Sequence, residues 1–263
     1  MRHVFAVAAA GQLTYPTDMK TSGTTLVAPI FAGVAYAAFV ASMTLLVLAH
    51  TGLWQPLAIA RPPAMGLANA LLMNVGLLLA FGVHHSIMAR SWAKAWLIRV
   101  WPPGLERSLY VLSAAILMGV LAVCWQPMEP VLWRVSGAPW WLMTGFWVAG
   151  LSLCVAATFA FDHAQLFGLR QAWCAWCGVE LDDAPMSTPW LYRQVRHPMQ
   201  LGMLVFLWSQ PVMTGGQLML AAGMTGYMLV GLLFEERDLV RRFGDDYRSY
   251  QRQVPMLIPG WRS

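Results

Sequence analysis

The chain has 263 residues, of which 58% are hydrophobic and only 11% charged, and its mean hydropathy is +0.54. A soluble domain usually carries about 25% charged residues, so a soluble enzyme is excluded and a single-domain, all-α integral membrane protein is expected. The net charge of +5 does not point to nucleic acid, because the 17 Lys and Arg residues form no soluble basic module and are explained by loops that set membrane orientation.

Near the N-terminus, residues 4–10 form an apolar patch too short to span a membrane. Gln12, Asp18 and Lys20 follow it, and it makes a poor cleaved signal peptide. Four apolar stretches come next, at about 25–49, 65–87, 108–125 and 139–161. Each approaches the ~20 residues that a helix needs to cross the hydrocarbon core. They are read as a four-helix membrane frame over residues 25–161.

The fifth apolar stretch, 199–235, is too long for one span, and Pro211 with Gly215-Gly216 breaks its middle. Proline ends or kinks a helix and paired glycines mark a turn. A helical hairpin that enters and leaves by one face is expected, the last of about five spanning elements. Its first arm starts at Pro198, which suits the first position of a helix. The tail 236–254 places Leu239, Phe243, Tyr247 and Tyr250 at spacings of four, four and three, one face of an amphipathic helix. No internal repeat and no low-complexity tract is present.

Loop charge orients this frame. With the loop 90–107 set inside, the N-terminus, the 162–198 segment and the C-terminal tail fall inside too. That side holds fifteen of the 17 basic residues, and only Arg61 and Arg134 fall outside. This is a positive-inside signature, with both termini and the C-terminal amphipathic helix toward the cytoplasm.

The same topology brings separated polar residues to one depth. His84 and His85 end the second span, and Asp162 and His163 end the fourth. Arg170 and Gln171 follow. Arg196 and His197 open the hairpin, and Glu235 and Glu236 close it. Each alone has a plainer reading as a helix-end residue, an orientation charge or a solvated salt bridge. Their convergence marks a site, because ionisable groups near a membrane interior are costly.

Cysteine chemistry adds little. Cys124 and Cys154 lie in apolar runs, so no disulfide framework is implied. Cys174-Ala-Trp-Cys177 resembles half of a zinc site, but a structural zinc usually wants four ligands, and no second pair exists. No metal is expected. Glu180, Asp182 and Asp183 read as a solvated loop. No phosphate-cradling glycine loop and no nucleophile elbow occurs.

Two resemblances follow from the motifs. Arg196-His197-Pro198-x-x-x-Gly202, about thirty apolar residues, then Glu235-Glu236, Leu239, Phe243-Gly244, Tyr247, Tyr250 and Val254-Pro255 resemble the isoprenylcysteine carboxyl methyltransferase and phospholipid methyltransferase superfamily. Further stretches resemble the bacterial methanethiol S-methyltransferases. They are Phe81-x-x-x-His85-Ser86-x-x-Ala89-Arg90, Glu106-Arg107-Ser108-x-Tyr110, Phe161-Asp162-His163-x-x-Leu166-Phe167-Gly168-Leu169-Arg170-Gln171 and Phe234-Glu235-Glu236-Arg237-Asp238-Leu239. The resemblance implies an enzyme of the bacterial inner membrane that methylates methanethiol to dimethyl sulfide. It implies S-adenosylmethionine as donor, bound at the cytoplasmic face by residues 191–260. Two departures stand out. Gln200 stands where many superfamily members carry Tyr. Gly231-Leu232-Leu233-Phe234 stands where the prenylcysteine enzymes carry an Arg-containing stretch, which argues for a neutral, apolar acceptor.

Under that resemblance Arg196, His197 and the first turn after Pro198 are expected to hold the methionine carboxylate, since helix N-termini favour anions. Glu235 or Glu236 would take the ribose hydroxyls or the amino group, and Gly202 would let backbone approach the cofactor. Arg170 and Gln171 rank behind them. The nucleophile is a thiolate, so a base is needed. His85 or His163 fits, with Asp162 tuning the latter. A lipid or prenylated thiol as acceptor, or a non-catalytic membrane protein of the same fold, stays open at this point.

Overall fold

The computed structural model describes residues 26–53, 58–102, 104–160, 162–179, 181, 186 and 188–260. The 4–10 patch, Arg2, Lys20, Phe161, Arg262 and the acidic loop of Glu180, Asp182 and Asp183 lie outside the described residues. In chain order the helices are α1 (Val27–Thr51), α2 (Leu67–Ala89), α3 (Ser91–Val100) and α4 (Glu106–Cys124). Strand β1 (Val131–Arg134), α5 (Ala138–Ala160), α6 (His163–Leu166) and α7 (Leu169–Cys177) follow. A 3-10 turn (Trp190–Arg193) then leads to α8 (Pro198–Trp208), β2 (Val212–Thr214), α9 (Gly215–Phe243) and α10 (Asp245–Gln253).

The helices α1, α2, α4, α5 and α9 are long and apolar enough to cross a membrane. The four expected frame helices form within two residues at each end. Apolar residues cover all their sides, so Leu72, Leu79 and Val83 of α2 and Leu142 and Val155 of α5 are exposed to what would be lipid. The chain is an integral membrane protein.

The hairpin forms, with a shorter first arm. Pro198 is in the first turn of α8, which has 11 residues. At 1.5 Å per residue α8 is about 16 Å long, half of the ~30 Å hydrocarbon core. The tip is closed by a two-stranded antiparallel ribbon in which Val131 of β1 faces Thr214 of β2. This ribbon is absent from the sequence reading. The amides of Gly215 and Gly216 donate to the carbonyls of Pro130 and Met128 at 2.9 and 3.2 Å. Thr214 and Gln217 cap α9 reciprocally. The connection after α4 therefore folds over the hairpin tip and satisfies its backbone.

Three inner-face features also differ from expectation. The loop 90–107 contains the amphipathic α3, and the 162–198 segment contains α6 and α7. The tail is two helices, because α9 continues to Phe243 and Gly244, at φ 57° and ψ −127°, turns the chain into α10.

Packing differs between the two halves of the bundle. Around the hairpin tip one cluster joins every span through Ala49, Phe81, Leu121, Trp147, Phe206 and Leu220. At the other end, which holds Arg196 and Glu235, the core divides. Ala28, Ala32, Leu105 and Ala172 pack α1, α4 and α7 together, and Ala35, Val111 and Phe167 extend that contact. The pair α5 and α8 stands apart, joined through glycines. A Cβ on Gly202 would stand 2.7 Å from the Gly150 carbonyl and 2.8 Å from the Cys154 amide. The open region lies between these two groups of helices, at the end that holds Arg196 and Glu235.

Candidate active site

The Arg-His-Pro turn is fixed by the end of the chain. The amides of Arg196 and His197 donate to the carbonyls of Pro255 and Met256 at 2.9 and 3.1 Å. The Arg196 guanidinium donates to the carbonyls of Gln251 and Val254. The Val254-Pro255 segment is thereby laid along the start of α8.

Glu236 ties this turn to α9 and α10. Its Oε1 accepts from Arg196 Nε at 3.0 Å, His197 Nε2 at 2.6 Å and the Tyr247 hydroxyl at 2.7 Å. Its Oε2 accepts from Gln251 Nε2 at 2.6 Å. Burial, then the Glu236 charge, pushes the Tyr247 phenol up, so it stays a donor. With both oxygens engaged, Glu236 is a structural hub.

Glu235 differs. It is one residue earlier, turned about 100° around the helix, and it lines a cleft. The cleft is narrow and partly open to solvent, and lies between Thr158, Leu166, Tyr192, Arg196, His197, Gln200 and Glu235. His197 Nδ1 is 4.0 Å from Glu235 Oε2. Burial, then the Glu235 charge, pushes the Tyr192 phenol up. Its wall thus presents a neutral hydroxyl. The acidic pair is split, one carboxylate for the fold and one for the cleft.

His163 stands behind the cleft wall. Thr158, a lining residue, donates to the Val155 carbonyl at 2.7 Å and lies 2.9 Å from His163 Nδ1. The single threonine hydrogen is used, so Nδ1–H donates to Thr158 and Nε2 accepts from the Tyr36 hydroxyl at 3.0 Å. Burial lowers the His163 pKa, opposed by the Asp162 charge. Asp162 acts only through its field. Its carboxylate caps α6 at the Gln165 amide, 2.9 Å away, and pairs with Arg170. That pairing raises the Arg170 pKa.

Several expected residues have other partners. Gly202 turns its open side to Gly150 and Cys154 of α5, a close approach that serves helix packing. Gln171 donates to the Gln165 carbonyl at 2.9 Å and braces the α6–α7 turn. Arg170 is engaged with Asp162. Neither is among the cleft-lining residues. His85 is on α2, with the Tyr110 hydroxyl 2.7 Å from its Nε2. The apolar stretch before the acidic pair is not without a cation, because Arg90 lies 4.5 Å over the Phe234 ring. Among the described residues, no group of three His, Cys, Asp or Glu side chains could hold a metal.

Two motifs prove to be one joint. Gly168, at φ 85°, opens α7, and a Cβ there would stand 2.6 Å from Ser108 Oγ and 2.8 Å from its amide. Arg107 Nε donates to the Leu166 carbonyl at 2.7 Å. The Glu-Arg-Ser stretch of α4 therefore seats the Leu-Phe-Gly stretch that carries the cleft wall. Tyr36, Tyr110, Thr158, Tyr192 and Gln251 were not legible as site residues. Arg107 and Tyr110 sat inside a recognised motif, but nothing in spacing told what they touch.

A cleft of convergent polar groups at one end of the bundle, held by five apolar spans, defines a membrane-embedded enzyme. The chain is 41% identical over 231 residues to methanethiol S-methyltransferase 2 of Bradyrhizobium diazoefficiens, covering 88% of this chain and 89% of that protein. It is 44% identical over 207 residues to methanethiol S-methyltransferase of Mycobacterium tuberculosis, covering 77% and 82%. It is 34% identical over 169 residues to nurim of Xenopus laevis, covering 59% and 58%. No family model matches the chain, and no solved structure matches it. The chain belongs to the methanethiol S-methyltransferase family, and the likeness to nurim points to a wider superfamily of membrane proteins.

Proposed function

We propose that the protein transfers the methyl group of S-adenosylmethionine to methanethiol, giving dimethyl sulfide, at the inner-face cleft. The observation that carries this reading is the split of the acidic pair: Glu235 faces the cleft opposite His197, Arg196 and the first turn of α8. A carboxylate facing a cationic helix start suits a zwitterion. The ammonium of the donor's amino-acid end meets Glu235. Its carboxylate meets His197 and the free first amides of α8. Tyr192 and Gln200 supply neutral hydrogen bonds along the wall.

Bound there, S-adenosylmethionine would supply an activated methyl group on a sulfonium. The protein's part is alignment, since proximity alone can supply about 7–11 kcal/mol of the barrier. Ala157, Leu166 and Met199 give the cleft an apolar side fitted to a small thiol. Shape selection of this kind is modest, about 1–3 kcal/mol per methylene. Ethanethiol is therefore expected to react more slowly, but measurably. His163 shapes the wall through Thr158, and His85 is the freer base. The fifteen-to-two charge asymmetry supports an orientation in the bacterial inner membrane with the cleft toward the cytoplasm.

Headspace gas chromatography tests the reading. Membranes containing the protein receive S-adenosylmethionine and methanethiol, with His197→Ala as control. Donor-dependent dimethyl sulfide that the control lacks is expected. A protein that binds the donor but forms no dimethyl sulfide would refute methanethiol as the acceptor.

A further inference from the structure

Arg107 is a cation in search of an anion. It lies one residue into α4, at the joint with α6. Among the described residues its guanidinium makes one hydrogen bond, to the Leu166 carbonyl, and no ion pair. It lies over the Tyr110 ring, 5.1 Å from the centroid. The Tyr110 hydroxyl is 2.7 Å from His85 Nε2 and 3.2 Å from Nδ1. His85 stacks on Phe81 at 5.3 Å and meets the edge of Tyr227 at 6.1 Å.

This row of cation, phenol and imidazole lies behind the cleft wall and reaches it through Leu166. Leu166, which Arg107 holds, is part of the cleft wall. Tyr110 is within electrostatic reach of Glu235, also on that wall. Arg107 has the charge of Glu106 beside it but no close ion pair among the described residues, and a cation near the membrane interior is costly and marks a function.

We propose that Arg107, Tyr110 and His85 form the thiol half of the site: Arg107 stabilises the methanethiol thiolate, and Tyr110 relays the thiol proton to His85. This rests on the methanethiol reading above. In the step, the S–H bond breaks and its proton passes to the Tyr110 oxygen as the phenolic proton moves to a His85 ring nitrogen. The thiol sulfur then uses the freed electron pair to bond the methyl carbon. The donor's carbon–sulfur bond breaks, and its electron pair stays on the departing sulfur, leaving a neutral thioether. His85 later returns its proton to water.

A neutral alkyl thiol needs this help because the thiolate is the nucleophile, and a free cysteine thiol ionises only near pH 8.5. The other charged or titratable groups around the row are Glu106 on α4, His84 on α2, Lys94 on α3, and Tyr227 and Glu235 on α9. Burial, then Arg107, holds Lys94 down to about 8. Cationic crowding of this kind reinforces a preference for an anion.

The test pairs two thiols with two substitutions. Arg107→Gln and Arg107→Lys are assayed with methanethiol and with 2,2,2-trifluoroethanethiol, an electron-poor thiol far more ionised at neutral pH. Binding of S-adenosylmethionine is measured on the same preparations. Arg107→Gln is expected to lower kcat/KM for methanethiol about 100-fold, the scale of assisted proton transfer. Its loss with trifluoroethanethiol should stay below about tenfold, and the rising limb of its pH profile should move to higher pH. Arg107→Lys should recover most of the rate, and donor binding should not change. Equal loss with both thiols, or loss of donor binding, would overturn the proposal. If Arg107→Gln does not accumulate, the thiol ratio in Arg107→Lys and Tyr110→Phe decides, and a ratio unchanged from wild type overturns it. A wild-type protein that makes no dimethyl sulfide would strike the methanethiol reading itself, and this proposal with it.

Discussion

Glu235 and Glu236 are adjacent in sequence yet face different work. Glu236 accepts four hydrogen bonds, two from the Arg-His-Pro turn and two from α10, whereas Glu235 faces the cleft. Glu236→Gln keeps the shape but leaves Arg196 buried without its counter-charge. Breaking such a buried pair costs about 3–5 kcal/mol, so a large fall in melting temperature in detergent is expected. Glu235→Gln is expected to leave the melting temperature within a degree or two of wild type, on the order of the ±0.5 kcal/mol typical of sites away from the core, while weakening donor binding by calorimetry. Equal melting losses in both variants would refute the division. His163 makes a separate prediction. Its folded pKa is lowered, so the fold favours the neutral ring. The stability it contributes is present above its unfolded pKa of about 6.5 and is lost as pH falls through the folded value. Melting temperature should drop on acidification below pH 6.5, and less steeply in His163→Asn; parallel slopes would count against it. At this scale the sequence told which residues gather, because topology and helix ends carry that information. It did not tell how they pair. Glu235 and Glu236 are indistinguishable until the approach of α10 decides which one Tyr247 and Gln251 can reach.

Elements were the most legible level where apolar length decides them. The four frame helices could be read to within two residues because lipid exposure demands continuous apolar runs. Elements stabilised by tertiary contact were hidden. β1 and β2 exist only because the hairpin tip needs backbone partners, and α3 and α7 are short amphipathic pieces lying at the inner face. Gly202 shows how a motif residue can be read for the wrong partner. Its close approach is to the α5 backbone. Gly202→Val should therefore separate α5 from α8, at about 1–3 kcal/mol for overpacking, and lower the yield of folded protein before it alters donor affinity. Gly202→Val protein with full stability but no donor binding would restore a cofactor role. The joint of Gly168 and Ser108 is as tight. Gly168→Ala meets both a left-handed φ and a 2.6 Å clash, so loss of several kcal/mol is expected by the sum of strain and overpacking, read as a melting shift.

For the whole molecule, the half around the hairpin tip is a closed frame and the opposite half opens into the cleft. This division explains why polar residues from four separate stretches meet at one depth. Charge asymmetry and apolar length made the topology readable from sequence. The cleft itself was not, because it arises from the failure of two helix groups to pack against each other. The motifs and the relatives agree on methyl transfer, and the proposed place for it is the cleft. The most direct test uses sealed vesicles of both orientations, given external S-adenosylmethionine carrying a trideuterated methyl group, which does not cross the bilayer, together with membrane-permeant methanethiol. Mass spectrometry of the headspace then reads the labelled sulfide. Trideuterated dimethyl sulfide is expected only from vesicles that expose the start of α8 to the donor, and at much reduced yield from Glu235→Gln. Labelled product from the opposite orientation alone, or undiminished product from Glu235→Gln, would contradict the placement of the active site in this cleft.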